Sequence, residues 1–334
     1  MPRAALERWL LARWYGGVSP GLLLRGLACV WGAAMRLRRW AYRQRWRRQH
    51  RLPVPVLVVG NRTVGGAGKT PLVIALVEAL RSRGWRPGVV SRGHGRAGRG
   101  QHAVAPDDDA RRVGDEPLLI RREAGCPVVV DRDRVAGAEA LVALGCDLVI
   151  ADDGLQHLRL GRNLEIEVED ARGLGNGRVL PAGPLREPLP ARPATFRVVQ
   201  GREPRPGEWP MRLAPAALRG LGRRAGETRA LAAFAGQRVH AVAGIGHPPR
   251  FFATLREAGL ALEPHPFPDH HAYAEADFRG MDDAPVLVTS KDAVKLRGID
   301  LADAWELPVR AVLPPDLPDA LDSLLRQGLP HVDP

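Results

Sequence analysis

Residues 56–70 read Val-Leu-Val-Val-Gly-Asn-Arg-Thr-Val-Gly-Gly-Ala-Gly-Lys-Thr, an apolar β-branched run, a glycine-rich turn, then a lysine and a threonine that open a helical pattern. Few local patterns restrict a fold so tightly. A buried strand feeding a helix through such a turn is the setting of a Walker A loop, where converging backbone N–H groups and a helix N-terminus hold phosphate oxygens. On this reading Thr63, Val64, Gly65, Gly66, Ala67, Gly68, Lys69 and Thr70 form a triphosphate-binding loop. Lys69 reaches the terminal phosphates and Thr70 ligates a metal ion. Thr63 stands where the pattern usually begins with glycine.

The rest of the chain supports the same fold class, α/β with a P-loop-type parallel sheet carrying helices on both faces. After the loop, strand and helix patterns alternate. Strands are expected at Pro55–Val59, Pro87–Ser91, Pro127–Val130 and Asp147–Ala151, and helices at Thr70–Arg83, Glu116–Ala124 and Val135–Leu144. Glycine and proline crowd residues 173–193, which excludes regular elements and suggests an ordered functional loop. A new strand, Arg238–Ala243, leads through Gly244 and Gly246 to a helix at Pro248–Ala258, and Val286–Thr289 is a further strand. The expected division is an arm at 1–50, a nucleotide-binding and catalytic domain at 51–231, and a smaller α/β domain at 232–334.

Charge is concentrated in the arm. Residues 1–51 hold twelve arginines and one carboxylate, Glu7, which accounts for all but one of the chain's twelve excess positive charges. Leu6, Trp9, Leu10, Trp14 and Tyr15 recur at roughly helical spacing with Arg8 and Arg13. An apolar run, Leu22 to Met35, follows, and eight arginines interleaved with Trp40, Tyr42 and Trp46 complete the arm. The apolar run is short for a span, which needs about 20 apolar residues, and suits an interfacial helix. Arginines and aromatic rings also suit stacked bases, but an RNA-binding arm has no use for the apolar run. An anionic membrane surface is therefore the expected partner, with no nucleic acid. The three cysteines, Cys29, Cys126 and Cys146, form no C-x-x-C pair, so neither a disulfide framework nor a zinc site is indicated by their spacing.

A P-loop kinase needs a second metal ligand at the end of a neighbouring buried strand, and Leu148-Val-Ile-Ala-Asp152 supplies one, with Asp153 next to it. Gly114-Asp-Glu-Pro117 puts Asp115 and Glu116 just before a helix, where they also serve as ordinary caps. Asp269-His-His271, Arg132 and Arg134 read equally well as surface groups when taken singly.

Together these strings closely resemble one family, the tetraacyldisaccharide 4'-kinases of lipid A biosynthesis. The resemblance rests on Gly60-Asn-Arg-Thr-Val-Gly-Gly-Ala-Gly-Lys-Thr-Pro71, Ser91-Arg-Gly93, Gly114-Asp-Glu-Pro117, Asp152-Asp-Gly-Leu-Gln-His157 and Arg172-Gly-Leu-Gly-Asn-Gly177. It continues through Leu180-Pro-Ala-Gly-Pro-Leu-Arg-Glu-Pro188, Gly244-Ile-Gly-His-Pro-Pro-Arg-Phe-Phe252, Asp269-His270 and Lys291-Asp-Ala-Val-Lys295. It implies transfer of the ATP γ-phosphoryl group to the 4'-hydroxyl of an acylated glucosamine disaccharide 1-phosphate lipid, giving lipid IVA. It also implies Mg2+, a cleft between two α/β domains, and a peripheral or monotopic place at the cytoplasmic face of a Gram-negative inner membrane. No obligate protein partner is inferred.

By the same resemblance Asp115 is the general base, His270 its paired histidine, and Lys69 neutralises transition-state charge. Thr70 and Asp152 hold Mg2+. Asn61, Asp153, Gln156, His157, Arg186 and Glu187, with Glu116, Arg132 and Arg134, are candidates for the substrate site or its loops. Ala67, His94 and Ser290, the last in Thr289-Ser-Lys-Asp292, depart from the residues usual in the family. Two other classes use similar glycine loops. A GTP-driven switch or metal-insertion chaperone needs a guanine-reading N-K-x-D, which Lys291-Asp292 does not supply, and a nucleic-acid-dependent ATPase would respond to RNA or DNA.

Overall fold

The computed structural model describes residues 3–189 and 193–328. Residues 1–2, 190–192 and 329–334, which include the start of the expected arm, part of the expected Gly/Pro loop and the end of the expected C-terminal unit, lie outside the described residues. Among the described residues two sheets form.

Val56–Gly60 lies inside the larger sheet, buried along its length and paired in parallel with Leu148–Asp152 on one side and Leu164–Glu169 on the other. Pro87–Ser91 and Val128–Val130 continue beyond Leu148–Asp152, and Phe196–Gln200 beyond Leu164–Glu169, all in parallel. A strand covered on both faces must be apolar on both, which is why the central ones read as Val, Leu and Ile runs without alternation. Leu57 and Val59 meet helices Lys69–Arg81 and Asp115–Ala124, while Val56 and Val58 face the core that holds helix Arg134–Ala143. Lys69–Arg81 buries Leu72, Val73, Leu76, Val77 and Leu80 completely, one stripe at helical spacing. Truncating one of them, such as Leu76→Ala, costs about 2–5 kcal/mol in lost burial and cavity formation.

The chain leaves Val56–Gly60, crosses by the helix and returns as Pro87–Ser91, leaving between the two strands a place that Leu148–Asp152 fills. Loops at the carboxyl ends of such strands part at this point, where α/β sheets bind ligands.

In the smaller sheet Arg238–Ala243 pairs in parallel with Ala261–Pro266 and Val286–Thr289, and the latter with Ala304–Leu307. Leu218–Leu221 and Thr228–Arg229 add an antiparallel edge. Helix Pro248–Glu257 buries Phe251, Phe252 and Leu255 on one face.

Sheet membership does not change at residue 231. Leu218–Leu221 already belongs to the smaller sheet, and the chain later goes back: Val309–Val312 pairs antiparallel with Glu208–Pro215 at the edge of the larger sheet. Helix Asp316–Arg326 then lays Leu317, Leu321 and Leu325, each one turn apart, into the core beneath Lys69–Arg81. That apolar spacing is what draws the C-terminus out of the smaller unit.

The arm forms helices Arg3–Tyr15 and Gly21–Arg43, so the apolar run and the first of the arginines share a single 23-residue helix. No helix among the described residues is long and apolar enough to cross a membrane. The arm is docked on the Gly/Pro loop. Trp14 Nε1 donates to Pro181 O at 3.0 Å, Asn176 N to Trp14 O at 2.9 Å, and Trp31 Nε1 to Arg186 O at 3.1 Å. Its other side leaves Leu22, Leu23, Leu27, Val30 and Leu37 exposed.

Candidate active site

A cavity of about 820 Å³ opens where loops from both sheets meet, with Gly66, Lys69 and Thr70 on one wall and Asp269, His270 and Lys291 on another. The glycine loop leaves Val59–Gly60 and closes onto helix Lys69–Arg81 through Gly68, whose φ of 85° is the left-handed conformation that side chains disfavour. Across the cavity Gly246 approaches so closely that a Cβ there would stand 3.3 Å from Gly66 N.

Lys69 is held at the mouth of this loop. Its ammonium donates to Asn61 Oδ1 at 2.9 Å and lies 3.4 Å from Asp153 Oδ1. Arg186, from the Gly/Pro loop, donates to both oxygens of Asp153 at 2.8 Å and reaches Gln156 Oε1 at 3.4 Å, while Gln156 Nε2 donates to Asn61 O at 3.3 Å. Burial would raise the Asp153 carboxyl, but Lys69 and Arg186 pull it down to about 2. Asp153 takes a φ of 50°, which turns it away from its neighbour Asp152.

Asp152 ends its strand beside Val59 and is fully buried. Its Oδ2 accepts from Ser91 Oγ at 3.0 Å, and its Oδ1 has no partner. Burial first, then Glu116 and Asp153, push its carboxyl up to about 7. A buried, unpartnered carboxylate oxygen next to a phosphate-binding loop is the chemistry that a bound cation completes. The residues therefore fit magnesium, with Thr70 on the cavity wall one position after Lys69.

On the opposite wall His270 Nδ1 lies within 3.0 Å of both oxygens of Asp115. Asp115 stands behind the ring at the start of helix Asp115–Ala124, 5% exposed against 27% for His270. Burial would raise the Asp115 carboxyl, but His270 and Lys291 hold it below the ordinary carboxylate value. The hydrogen bond to Asp115 raises His270 above its ordinary value, against burial. Lys291 joins the wall together, donating to Glu116 Oε1 at 3.0 Å and Asp269 Oδ1 at 3.1 Å and lying 3.8 Å from Asp115 Oδ2. Burial works to lower its ammonium, yet Glu116, Asp115 and Asp269 keep it above the ordinary lysine range.

The candidates thus fall into distinct places. Val64 to Thr70, Glu116, Asp153, Arg186 and His270 line the cavity. Asn61, Asp115, Asp152 and Gln156 stand behind it as supports. Thr63 is buried and bridges to Leu185, so its side of the loop is tied to the Gly/Pro segment. Glu187 links the arm to the loop's flank: it accepts from Arg39 and, at 3.3 Å, from Arg62, whose Nε is 2.8 Å from Glu167. Arg134 is buried near Asp152 and Asp153 but its Nε is unpartnered, and burial lowers its pKa. Arg132 is exposed and does not line the cavity. The His157 ring is driven down to about 4 by burial, then by Arg134 and Arg162, and its Nδ1 is buried without a partner.

Sequence reasoning passed over Ser91 as the partner of Asp152, His94, whose ring lies 5.5 Å from that of His270, and Lys291. Lys291 belongs to the string that departs from the family at Ser290, and Ser290, also on the cavity wall, donates to Glu306 at 2.5 Å.

A sequence model of the family described as tetraacyldisaccharide-1-P 4'-kinase matches residues 21–326. A tetraacyldisaccharide 4'-kinase from Xanthomonas euvesicatoria pv. vesicatoria is 52% identical over 339 residues, covering 95% of this chain and 97% of the relative. One from Alkalilimnicola ehrlichii is 52% identical over 305 residues, covering 90% and 92%. Among solved structures, LpxK from Aquifex aeolicus, described as an "apo" form in complex with ATP, superposes with a TM-score of 0.75 at 29% identity, covering 91% of this chain and 98% of that one. On this match across nearly the whole chain, the protein belongs to the tetraacyldisaccharide 4'-kinase family.

Proposed function

We propose that phosphoryl transfer runs across the cavity from the Lys69 wall to the His270 wall. The chain is an ATP-dependent kinase of lipid A biosynthesis, moving the γ-phosphoryl group of ATP to the 4'-hydroxyl of a tetraacyldisaccharide 1-phosphate. What supports the division of roles is one observation: Lys69, carried by the larger sheet, and His270, which follows a strand of the smaller one, face a common space, with Asp115 behind the His270 ring.

The glycine-loop amides and Lys69 grip the triphosphate, and the N-terminus of helix Lys69–Arg81 adds favourable potential. Thr70 and Asp152 would hold Mg2+, which when bound neutralises charge on the β and γ phosphates. Asp153, fixed by Arg186, keeps Lys69 aimed at the loop. The acceptor oxygen forms its bond to the γ phosphorus, the bond to the β-bridging oxygen breaks, and ADP leaves. The hydroxyl proton passes to His270 Nε2, because that ring forms the wall while Asp115 stands behind it on Nδ1 and steadies the imidazolium. The family resemblance casts Asp115 as the base; the burial of Asp115 supports an orienting role for it instead.

The acceptor's acyl chains keep it in a bilayer. The exposed Leu22, Leu23, Leu27, Val30 and Leu37 on helix Gly21–Arg43, with the arginines that follow, suit a peripheral helix at an anionic surface, in keeping with the cytoplasmic face of a Gram-negative inner membrane. Trp31 on Arg186 O, and Arg39 through Glu187 to Arg62, would tie that helix to the catalytic loops.

The test is His270→Gln examined twice, for ATP affinity by equilibrium titration and for product by single turnover. Retained affinity with lost transfer is expected. Wild-type transfer would remove the assignment.

A further inference from the structure

A second cluster of chemistry-bearing side chains lies on the smaller sheet, on the face away from helix Pro248–Glu257. The parallel register sets His240 beside Glu263 and Val242 beside His265. Side chains two residues apart share a face, so His240, Glu263 and His265 converge. His240 Nδ1 stands 3.1 Å from His265 Nε2 and 3.7 Å from Glu263 Oε2, and His265 Nε2 lies 4.0 Å from Glu263 Oε1.

One of those separations is that of a metal site, and the other two exceed it by less than an ångström. A tetrahedral ion with bonds of about 2.0–2.2 Å to imidazole nitrogen and carboxylate oxygen sets its ligand atoms roughly 3.3 Å apart. The two ring nitrogens already meet that spacing, and Glu263, close to half exposed, needs only a small side-chain turn to do so. His240 is buried, and its other nitrogen, Nε2, is committed to Asp283 Oδ1 at 2.8 Å. That carboxylate–histidine pairing fixes the tautomer so that Nδ1 presents its lone pair to the centre, as it does behind metal-bound imidazoles. Arg238 holds both carboxylates in place, donating to Asp283 Oδ2 and Glu263 Oε2 at 2.5 Å each.

We infer that His240, Glu263 and His265 bind a divalent transition ion of the zinc class, with water in the fourth position. Two imidazoles and one carboxylate select zinc or cobalt over magnesium. The ion staples two parallel strands whose carboxyl ends carry Gly244 to His247 and Phe267 to His270, so it steadies loops of the active site from a distance without entering the chemistry.

The test uses untagged full-length protein stripped with chelator and titrated with cobalt(II) in excess Mg2+, read by visible absorption. One equivalent per chain, with the intense bands of a tetrahedral ion that zinc displaces, is expected for the wild type and is lost in His265→Ala. Glu263→Gln, at an exposed position that keeps side-chain shape, weakens uptake, and Asp283→Asn weakens it about 10- to 100-fold. Zinc raises the melting temperature of the wild type and leaves that of His265→Ala unmoved. Wild-type uptake by His265→Ala, or no saturable uptake by the wild type, would overturn the assignment.

Discussion

His270 Nδ1 lies 3.0 and 2.9 Å from the two carboxylate oxygens of Asp115, a residue 155 positions away in the chain and attached to the other sheet. The proposed base and its carboxylate are therefore brought together only when the two sheets meet. Asp115→Asn keeps the shape of the pair but removes the charge that stabilises the imidazolium. A fall in kcat of about 10²–10⁴ is predicted, the usual range for losing acid–base assistance. ATP affinity, measured by equilibrium titration, should be unchanged.

The pH profile separates the two possible bases. His270 must be neutral to accept a proton, and its pKa is raised above the ordinary 6.5. As pH falls through that raised value the rate should fall, so kcat/KM is predicted to show an acid limb with its midpoint above 6.5. A limb far down in the carboxylate range would mark Asp115 as the direct acceptor. Stability carries the same signature with opposite signs. The raised His270 value means its contribution is fully present below about pH 6.5 and is lost as pH rises through the folded value. Asp115 is depressed, so its contribution is present above about pH 3.9 and is lost as pH falls through its lowered value. Melting temperature against pH, for wild type and His270→Gln, measures both.

Lys69 is aimed by Asn61 and Asp153. Lys69→Met should lower kcat by about 10²–10³, the scale for losing one preorganised charge donor. Arg186→Met leaves Lys69 as the direct ion-pair partner of Asp153, which draws the ammonium off the phosphates, so a raised KM for ATP is expected from steady-state kinetics.

The arm's exposed stripe and its docked side should respond differently. Leu23→Glu with Val30→Glu is predicted to cut sedimentation with anionic vesicles at least about tenfold while leaving the melting temperature unchanged, since both residues are exposed. Glu187→Gln strikes the docked side. It takes one charged partner from Arg39 and from buried Arg62, which keeps Glu167, and a loss of about 1–3 kcal/mol is expected, read by denaturant unfolding. Deleting residues 1–50 combines the two effects, because Trp14 and Trp31 also hold the Gly/Pro loop.

The phosphate loop and the strands around it were legible because burial on both faces leaves a continuous apolar run, as in Val56–Gly60 and Leu148–Asp152. Leu164–Glu169 escaped notice because three glutamates interrupt it, although Glu167 is buried against Arg62. Glu208–Pro215 carries Pro210 and Pro215, which argue against a strand inside a sheet. Site residues at the ends of buried strands, such as Asp152, could be read from position. Those that depend on two sheets meeting, such as Lys291 between Glu116 and Asp269, had no local signal beyond their string. Arg132 and Arg134 carry no local signal that tells them apart, yet Arg134 opens a helix that buries it while Arg132, before that helix, is exposed.

Transfer between the Lys69 and His270 walls is followed most directly with terminally labelled ATP, Mg2+ and tetraacyldisaccharide 1-phosphate in mixed micelles. Label is expected on the 4'-oxygen of the disaccharide with wild-type protein, and almost none with Asp115→Asn or His270→Gln at saturating ATP. Label released only as inorganic phosphate by the wild type, or equal labelling by all three proteins, would contradict it.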